Sequence, residues 1–312
     1  WALATHPMNE STDTRHACNR EAANSGHSPY LAFARILKQD LGHPIGLVQA
    51  SLGGSPLSAW NPAQPGQPVL FNNMMHCVEL VGGKVKGILW YQGESDTGGE
   101  KFKDAFTYEE RFTQAVGAWR NALKNPDLAV LTVQRNRMYC APGDFDTGWS
   151  VVRVAQRQVA RKMDGVAVVP TFDLALTDGI HINSPSNLLL GERLARAALG
   201  MVHGKPVAWK APDLKSAKLS ADGKEVELSF DNVTSRMDNI DPTANSFRVE
   251  DESGVVPIEK VVYPQGIGVK LLLSRPLKGK PVVHGAYGYN PPTVPMDMER
   301  FMPMLGFWGV KV

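Results

Sequence analysis

The rhythm of the first 205 residues constrains this chain more than any other feature. Continuous apolar runs of strand length alternate there with longer stretches of helical period. The runs are 45–50, 85–92, 129–134 and 166–172. A strand with one face in water alternates polar and apolar residues, so uninterrupted runs imply strands covered on both faces. Helices are expected between them. Ser28-Pro29 supplies an N-cap and a first-turn proline, and Gly42 closes that helix after Leu41. Thr107-Tyr108-Glu109-Glu110 has the form of a capping box, and Phe112, Val116, Trp119 and Leu123 follow on one apolar face. Ser184-Pro185 opens a last helix carrying Leu190, Leu194, Ala198 and Met201. Strand–helix alternation predicts an α/β fold with a parallel sheet and helices on both faces, three layers in all.

Past the Pro-containing stretch 203–212 the rhythm changes. Val226, Leu228 and Phe230 alternate on one face, and short apolar segments at 247–249, 261–263, 269–273 and 282–287 are separated by turn residues such as Asp222-Gly223 and Gly266. Spacing of this kind predicts a small antiparallel β-sandwich. The expected organisation is therefore an α/β domain over 1–205 and a β-sandwich accessory domain over 206–312. A length of 312 residues, 43% of them hydrophobic and 21% charged, can bury two such cores and excludes a disordered chain.

Several function classes drop out. Lys plus Arg total 33 against 31 Asp plus Glu, scattered along the chain, which leaves no basic footprint for nucleic acid. Apolar runs such as Leu188-Leu189-Leu190 fall far short of the roughly 18 residues needed to cross a bilayer as a helix. Histidines other than His181 show no ligand spacing, and no Gly-rich phosphate loop occurs, so neither a metal nor a cofactor is expected. Cys18, Cys77 and Cys140 are an odd set, compatible with one bridge and one thiol or with none.

Open parallel sheets bind ligands beyond the carboxyl ends of their strands. The loops expected there are 51–55, 93–96, 135–150 and 173–183. In the last, Asp178-Gly179-Ile180-His181 sets a carboxylate three residues before a histidine. That spacing lets the carboxylate hold one imidazole nitrogen while the other faces a nucleophile.

The segments Gly46-Leu47-Val48-Gln49-Ala50-Ser51-Leu52-Gly53-Gly54-Ser55, Trp90-Tyr91-Gln92-Gly93-Glu94-Ser95 and Asp178-Gly179-Ile180-His181 resemble the sialate O-acetylesterase family of SGNH or GDSL-like hydrolases. The likeness continues through Arg153-Val154-Ala155-Gln156 and Gly191-Glu192-Arg193 to Tyr287-Gly288-Tyr289-Asn290-Pro291-Pro292. It implies an SGNH-hydrolase-like fold and serine-dependent hydrolysis of acetyl esters on sugars, with an acetylated carbohydrate as substrate. It further implies His181 as general base, Asp178 as its orienting partner, and an oxyanion hole built from Gly53, Gly54 and the Gln92 side chain. Glu94 and Asn72 are expected to fix the orientation of Gln92. Such an enzyme is expected to be secreted or periplasmic.

Each residue also has a plainer reading. Gly53-Gly54 can simply turn a strand into a loop, Gln92 can cap a strand end, and Trp60 and Tyr91 suit a core as well as a sugar ring. The chain also departs from the family it resembles. The family's nucleophile lies on a GQSN-type turn after the first strand, and no GQS occurs in this sequence, which opens at Trp1. The parallel runs are one strand short, so the serine is expected on an upstream or separate N-terminal segment. Ser51, Ser55 and Ser95 are weaker substitutes, since none sits in a GxSxG elbow. The alternative function is a catalytically inactive carbohydrate-binding relative, and a weaker third is a glycosidase using Glu94 and Asp178.

Overall fold

The structure is a computed structural model that describes residues 1–6, 27–98, 102–139, 145–266 and 268–312. Cys18 and Cys140 lie outside the described residues, and Cys77 is half-buried on a helix. Three parallel strands, β1 (Gly87–Trp90), β2 (Ala129–Gln134) and β3 (Val166–Pro170), pair in the order β1-β2-β3. Between β1 and β2 runs α4 (Tyr108–Ala122), and between β2 and β3 runs α5 (Asp146–Lys162). Alternate strand residues point to opposite faces. Val130 accordingly packs with Phe112, Trp119 and Val152 of α4 and α5. Leu131 and Val133 pack instead with Phe33 and Leu37 of α1 (Pro29–Leu41) and with Leu190 and Leu194 of α6 (Ser184–Ala197). Buried faces on both sides account for the uninterrupted apolar runs.

The start of α1 follows the sequence signal, with the Ser28 side chain accepting from the Tyr30 N–H and Gly42 closing the helix at φ 75°. Thr107 does not act as a capping-box residue. A short helix, α3 (Lys103–Phe106), runs directly into α4, which puts Thr107 in helical conformation. Its hydroxyl donates to the Lys103 carbonyl instead and accepts from Arg111 Nε. Asn183, one residue earlier than Ser184, caps α6 by accepting from the Ser186 N–H.

The expectation of four parallel strands needs correction. Residues 45–50 form no strand, although Ile45, Leu47, Val48 and Ala50 are apolar. A strand is held by hydrogen bonds to a neighbour, and among the described residues no neighbour pairs with this segment. Between residues 44–51 and β1 lies a cavity of about 510 Å³, walled by Phe33 and Leu37 of α1, Met74 and Val78 of helix α2 (Val69–Leu80), and β1 itself. The gap that the strand count implied is thus an apolar slot beside the outer edge of β1.

The second half is antiparallel. Strands β4 (Asp213–Leu219), β5 (Glu225–Asp231), β9 (Ile258–Val262) and β10 (Gly268–Leu273) form a sheet in the order β4-β5-β10-β9. Strands β7 (Phe247–Asp251), β8 (Gly254–Val256), β11 (Val282–Gly285) and β14 (Phe307–Lys311) form a second, ordered β14-β11-β7-β8. Three two-residue strands, β6 (Met237–Asp238), β12 (Met296–Asp297) and β13 (Met302–Pro303), make a third small sheet. Val226, Leu228 and Phe230 face a core shared with Val249, Val269 and Val283. Phe172, just after β3, joins this core, while Trp308 of β14 packs against the α/β core.

Candidate active site

The carboxyl ends of β1, β2 and β3 lead into loops at one edge of the sheet, since the strands are parallel. Gln92 follows β1, residues 135–139 follow β2, and the Asp178–His181 turn follows β3. The middle loop links its neighbours. Gln156 ties the Arg135 N–H to the Gln92 carbonyl, at 3.1 and 2.8 Å. The Asn136 side chain donates to the Leu174 carbonyl at 3.0 Å, and the Tyr139 N–H donates to the Gly179 carbonyl at 2.7 Å. Gln92 and His181 therefore stand on the same edge, separated by one loop.

At the outer end, Asp178 and His181 form the expected dyad. His181 Nδ1 lies 2.7 Å from Asp178 Oδ2, and the backbone N–H groups of Ile180 and His181 both donate to Oδ1. Those two N–H donors and the imidazole hold the Asp178 carboxyl down to about 2, below its usual 3.8. The dyad is open to solvent, with the His181 side chain 72% exposed. No other hydrogen bond of the imidazole is formed among the described residues.

The opposite end of the edge is closed. Gly53-Gly54 form a turn, with Gly54 at φ 67°. This loop is stitched to the one after β1: Ser95 donates to the Gly54 carbonyl at 2.9 Å, and the Leu57 N–H donates to Asp96 at 2.9 Å. Gln92 occupies the seam. Its amide nitrogen donates to the Ser55 carbonyl at 3.1 Å and to Asp96 Oδ2 at 2.6 Å, while its amide oxygen accepts from Tyr108 at 2.8 Å. An amide has two N–H bonds, and both are committed. In this geometry the Gln92 amide, expected to face an oxyanion, holds two loops together.

Its orientation is fixed by Tyr108 and Asp96, not by Glu94 or Asn72. Glu94 is half-buried and makes no side-chain hydrogen bond among the described residues, and Asn72 is exposed on α2. Asp96 is buried, paired with Arg111 at 2.7 Å. Both Tyr108 and Asp96 escaped the sequence reading. Asp96 lies two residues past Glu94 in the same motif, but nothing in spacing distinguishes a buried acid from a solvated one. Gly93 admits this packing: its φ is 143°, and a Cβ there would meet Val152 at 3.0 Å and Gln156 at 3.1 Å. Burial lowers the Arg135 guanidinium to about 9, and all three of its nitrogens lack a hydrogen-bond partner. It stacks 3.7 Å over Trp149, and Glu94 lies within electrostatic reach.

The three serines weighed as substitutes do not approach the dyad through any hydrogen bond. Ser55 donates to the Leu52 carbonyl and accepts from Trp60, Ser95 is taken by Gly54, and Ser51 borders the slot. Trp60 itself is core.

Comparisons with known proteins agree with this architecture. Residues 1–200 match the family model described as carbohydrate esterase, sialic acid-specific acetylesterase. A probable carbohydrate esterase of Arabidopsis thaliana is 29% identical over 206 residues, covering 64% of this chain and 71% of that protein. Human sialate O-acetylesterase is 36% identical over 85 residues, which are 20% of this chain and only 16% of the human protein. The crystal structure of a carbohydrate acetylesterase from Xanthomonas citri superposes with a TM-score of 0.75 at 25% identity, covering 92% of this chain and 66% of that one. The chain belongs to the carbohydrate esterase family of sialic acid-specific acetylesterases, a family of carboxylic ester hydrolases.

Proposed function

We propose that this chain carries the histidine–aspartate part of a serine-dependent O-acetylesterase that removes acetyl groups from sugars. One observation carries the reading: the 2.7 Å contact between His181 Nδ1 and Asp178 Oδ2 at the carboxyl edge of the sheet. With Nδ1 held by an ionised carboxylate, Nε2 takes the proton of the attacking hydroxyl and later returns it to the leaving sugar oxygen. Asp178 fixes the tautomer and stabilises the imidazolium. The Gly53-Gly54 turn supplies a backbone N–H to the tetrahedral oxyanion, where no Cβ obstructs the ester.

The serine comes from polypeptide outside the 312 residues. An extended segment seated in the 510 Å³ slot would pair with the free edge of β1 and run parallel to it. It would therefore end at the same edge as the dyad. Apolar walls on both helical layers suit such a strand.

A catalytically inactive carbohydrate-binding relative is the second reading, favoured by Ser55 and Ser95 being bonded within the Gly54 loop and away from His181. Intact mass of the purified protein, followed by acetate release from an O-acetylated sugar on the same sample, decides. The expected result is hydrolysis only by a protein longer than 312 residues. Robust hydrolysis by the 312 residues alone would place the nucleophile at Ser51, Ser55 or Ser95. No hydrolysis by a longer protein would favour the inactive relative.

A further inference from the structure

The two halves of the chain are joined at the carboxyl edge of the parallel sheet, and one face of α5 makes the joint. Asp146, Ser150 and Arg153 follow one another at four- and three-residue spacing, so they lie on one side of that helix. All three bond to the bend 286–289, which follows β11 in the antiparallel half. Ser150 accepts from the Gly288 N–H at 2.9 Å, and Asp146 accepts from the Tyr289 N–H at 3.0 Å. Arg153 Nη1 donates to the carbonyls of Ala286 and Gly288, at 3.3 and 2.5 Å. The bend is held in a shape that its residues do not favour. Ala286 is left-handed at φ 52°, and at Gly288, with φ 87°, a Cβ would lie 2.5 Å from Asp146 Oδ1.

The same guanidinium also holds the loop after β2. Its Nε donates to the Arg135 carbonyl and its Nη2 to the Asn136 carbonyl, each at 3.0 Å. Arg153 is 1% exposed, and its hydrogen bonds among the described residues all go to backbone carbonyls. A guanidinium buried without a carboxylate is costly unless its donors are satisfied. Here they are satisfied by fastening two backbone segments to each other. The bonds then run on to the dyad. The Met138 N–H donates to the Tyr289 carbonyl at 2.8 Å, and the next N–H, of Tyr139, donates to the Gly179 carbonyl at 2.7 Å. Gly179 lies between Asp178 and His181. The dyad turn is closed on itself by the Thr177 N–H, which donates to the His181 carbonyl at 2.7 Å, and the Tyr139 bond ties that turn to the rest of the edge.

We propose that Arg153 is a positioning residue for the esterase reaction. By fastening the bend 286–289 to the loop after β2, it sets where His181 stands relative to the attacking hydroxyl. The antiparallel half is then part of the catalytic edge and not an appended module. The proposal rests on the esterase reading for what His181 does, whereas the mechanical joint does not depend on it. Lysine cannot take this place. Its ammonium is a single point with three donors, while the planar guanidinium addresses both segments at once through Nε, Nη1 and Nη2.

Two substitutions in the full-length protein break the joint from its two sides. Arg153→Lys removes the fork, and Gly288→Ala pushes the bend off Asp146 while leaving Arg153 in place. Each should lower kcat for acetate release from an O-acetylated sugar by about 10–100-fold with KM changed by about twofold or less, because misplacing a catalytic group costs rate more than binding. The double variant should be little worse than the worse single one, since both act through one joint. Leu228→Ala, in the core of the antiparallel half, is the comparison. It should lower the unfolding midpoint while kcat of the folded enzyme stays within about twofold. Amide hydrogen exchange reads the joint without the reaction: the Tyr139 N–H should exchange about tenfold faster or more in Arg153→Lys and in Gly288→Ala, and far less so in Leu228→Ala. If Arg153→Lys does not fold, Gly288→Ala carries the test alone. Unchanged Tyr139 exchange in the joint variants, faster exchange with unchanged kcat, or an equal loss of kcat in Leu228→Ala would overturn the proposal. No acetate release by the unsubstituted full-length protein would overturn the esterase reading instead, and the exchange rates would still decide whether the joint holds the dyad turn.

Discussion

The two ends of the carboxyl edge are built on opposite plans. Around Gln92 the polar atoms of the seam are spent: its amide nitrogen on Ser55 and Asp96, its oxygen on Tyr108, and Asp96 in turn on Arg111 and the Leu57 N–H. At the dyad, Asp178 is saturated but the imidazole it holds stands open to solvent with one nitrogen uncommitted among the described residues. A buried, fully bonded network resists change and fixes geometry. An exposed group with a single fixed partner can gain and lose a proton without disturbing the fold. Under the proposed function the dyad end transfers the proton while the packed Gln92 network holds the Gly53-Gly54 turn in place, and substitutions at the two ends should separate accordingly.

The largest separation is expected at His181. His181→Ala in the full-length enzyme should lower kcat for acetate release by about 10³-fold or more, because both proton transfers are lost. Its thermal midpoint should barely move, since an exposed side chain outside any network changes stability by about 0.5 kcal/mol or less. A large loss of stability would show the dyad to be structural. Gln92→Ala should behave in the reverse way. It strands Tyr108 and Asp96 in the interior and should cost about 2–4 kcal/mol in denaturant unfolding. An intact midpoint combined with a drop in kcat alone would return Gln92 to the oxyanion hole.

How far the sequence disclosed this plan depends on whether a residue acts through its neighbours in the chain or through packing. The dyad was legible because residues three apart in one turn determine their own geometry, as the contact of Asp178 with the Ile180 and His181 amides illustrates. The parallel sheet and its helices were legible from period and from the Ser28 and Gly42 ends. Residues 45–50 misled because an apolar run states only that a segment is buried, while a strand also needs a partner. The bonding of Gln92 was hidden for a related reason. Its two donors are claimed by Ser55, 37 residues away, and by Asp96, whose burial depends on Arg111. Thr107 carries a capping-box pattern, yet the preceding turn of helix decides its conformation.

A second histidine sharpens the comparison, with a smaller effect. His284 on β11 is 3% exposed and accepts from the Gly309 N–H at Nδ1, while its Nε2 lacks a partner. It packs edge-on to Tyr287 and Trp308, and burial lowers it from 6.5 to about 4, opposed by Glu250 and assisted by Arg248. The unfolded chain therefore binds a proton at His284 that the folded protein refuses between those two values. Stability from this site is fully present above about pH 6.5 and is lost as pH falls towards 4, by at most roughly 3 kcal/mol. Asp178 works in a different window. Its carboxyl is depressed to about 2, so its contribution is present above 3.8 and is lost only as pH falls through 2. Unfolding free energies measured from pH 7 to 4 should fall in the wild-type protein and in Asp178→Asn alike. In His284→Phe the fall should be markedly shallower, even though losing the acceptor for Gly309 lowers the starting value. An unchanged slope in His284→Phe would mean that the acid sensitivity resides elsewhere and that this histidine is already solvated in the fold.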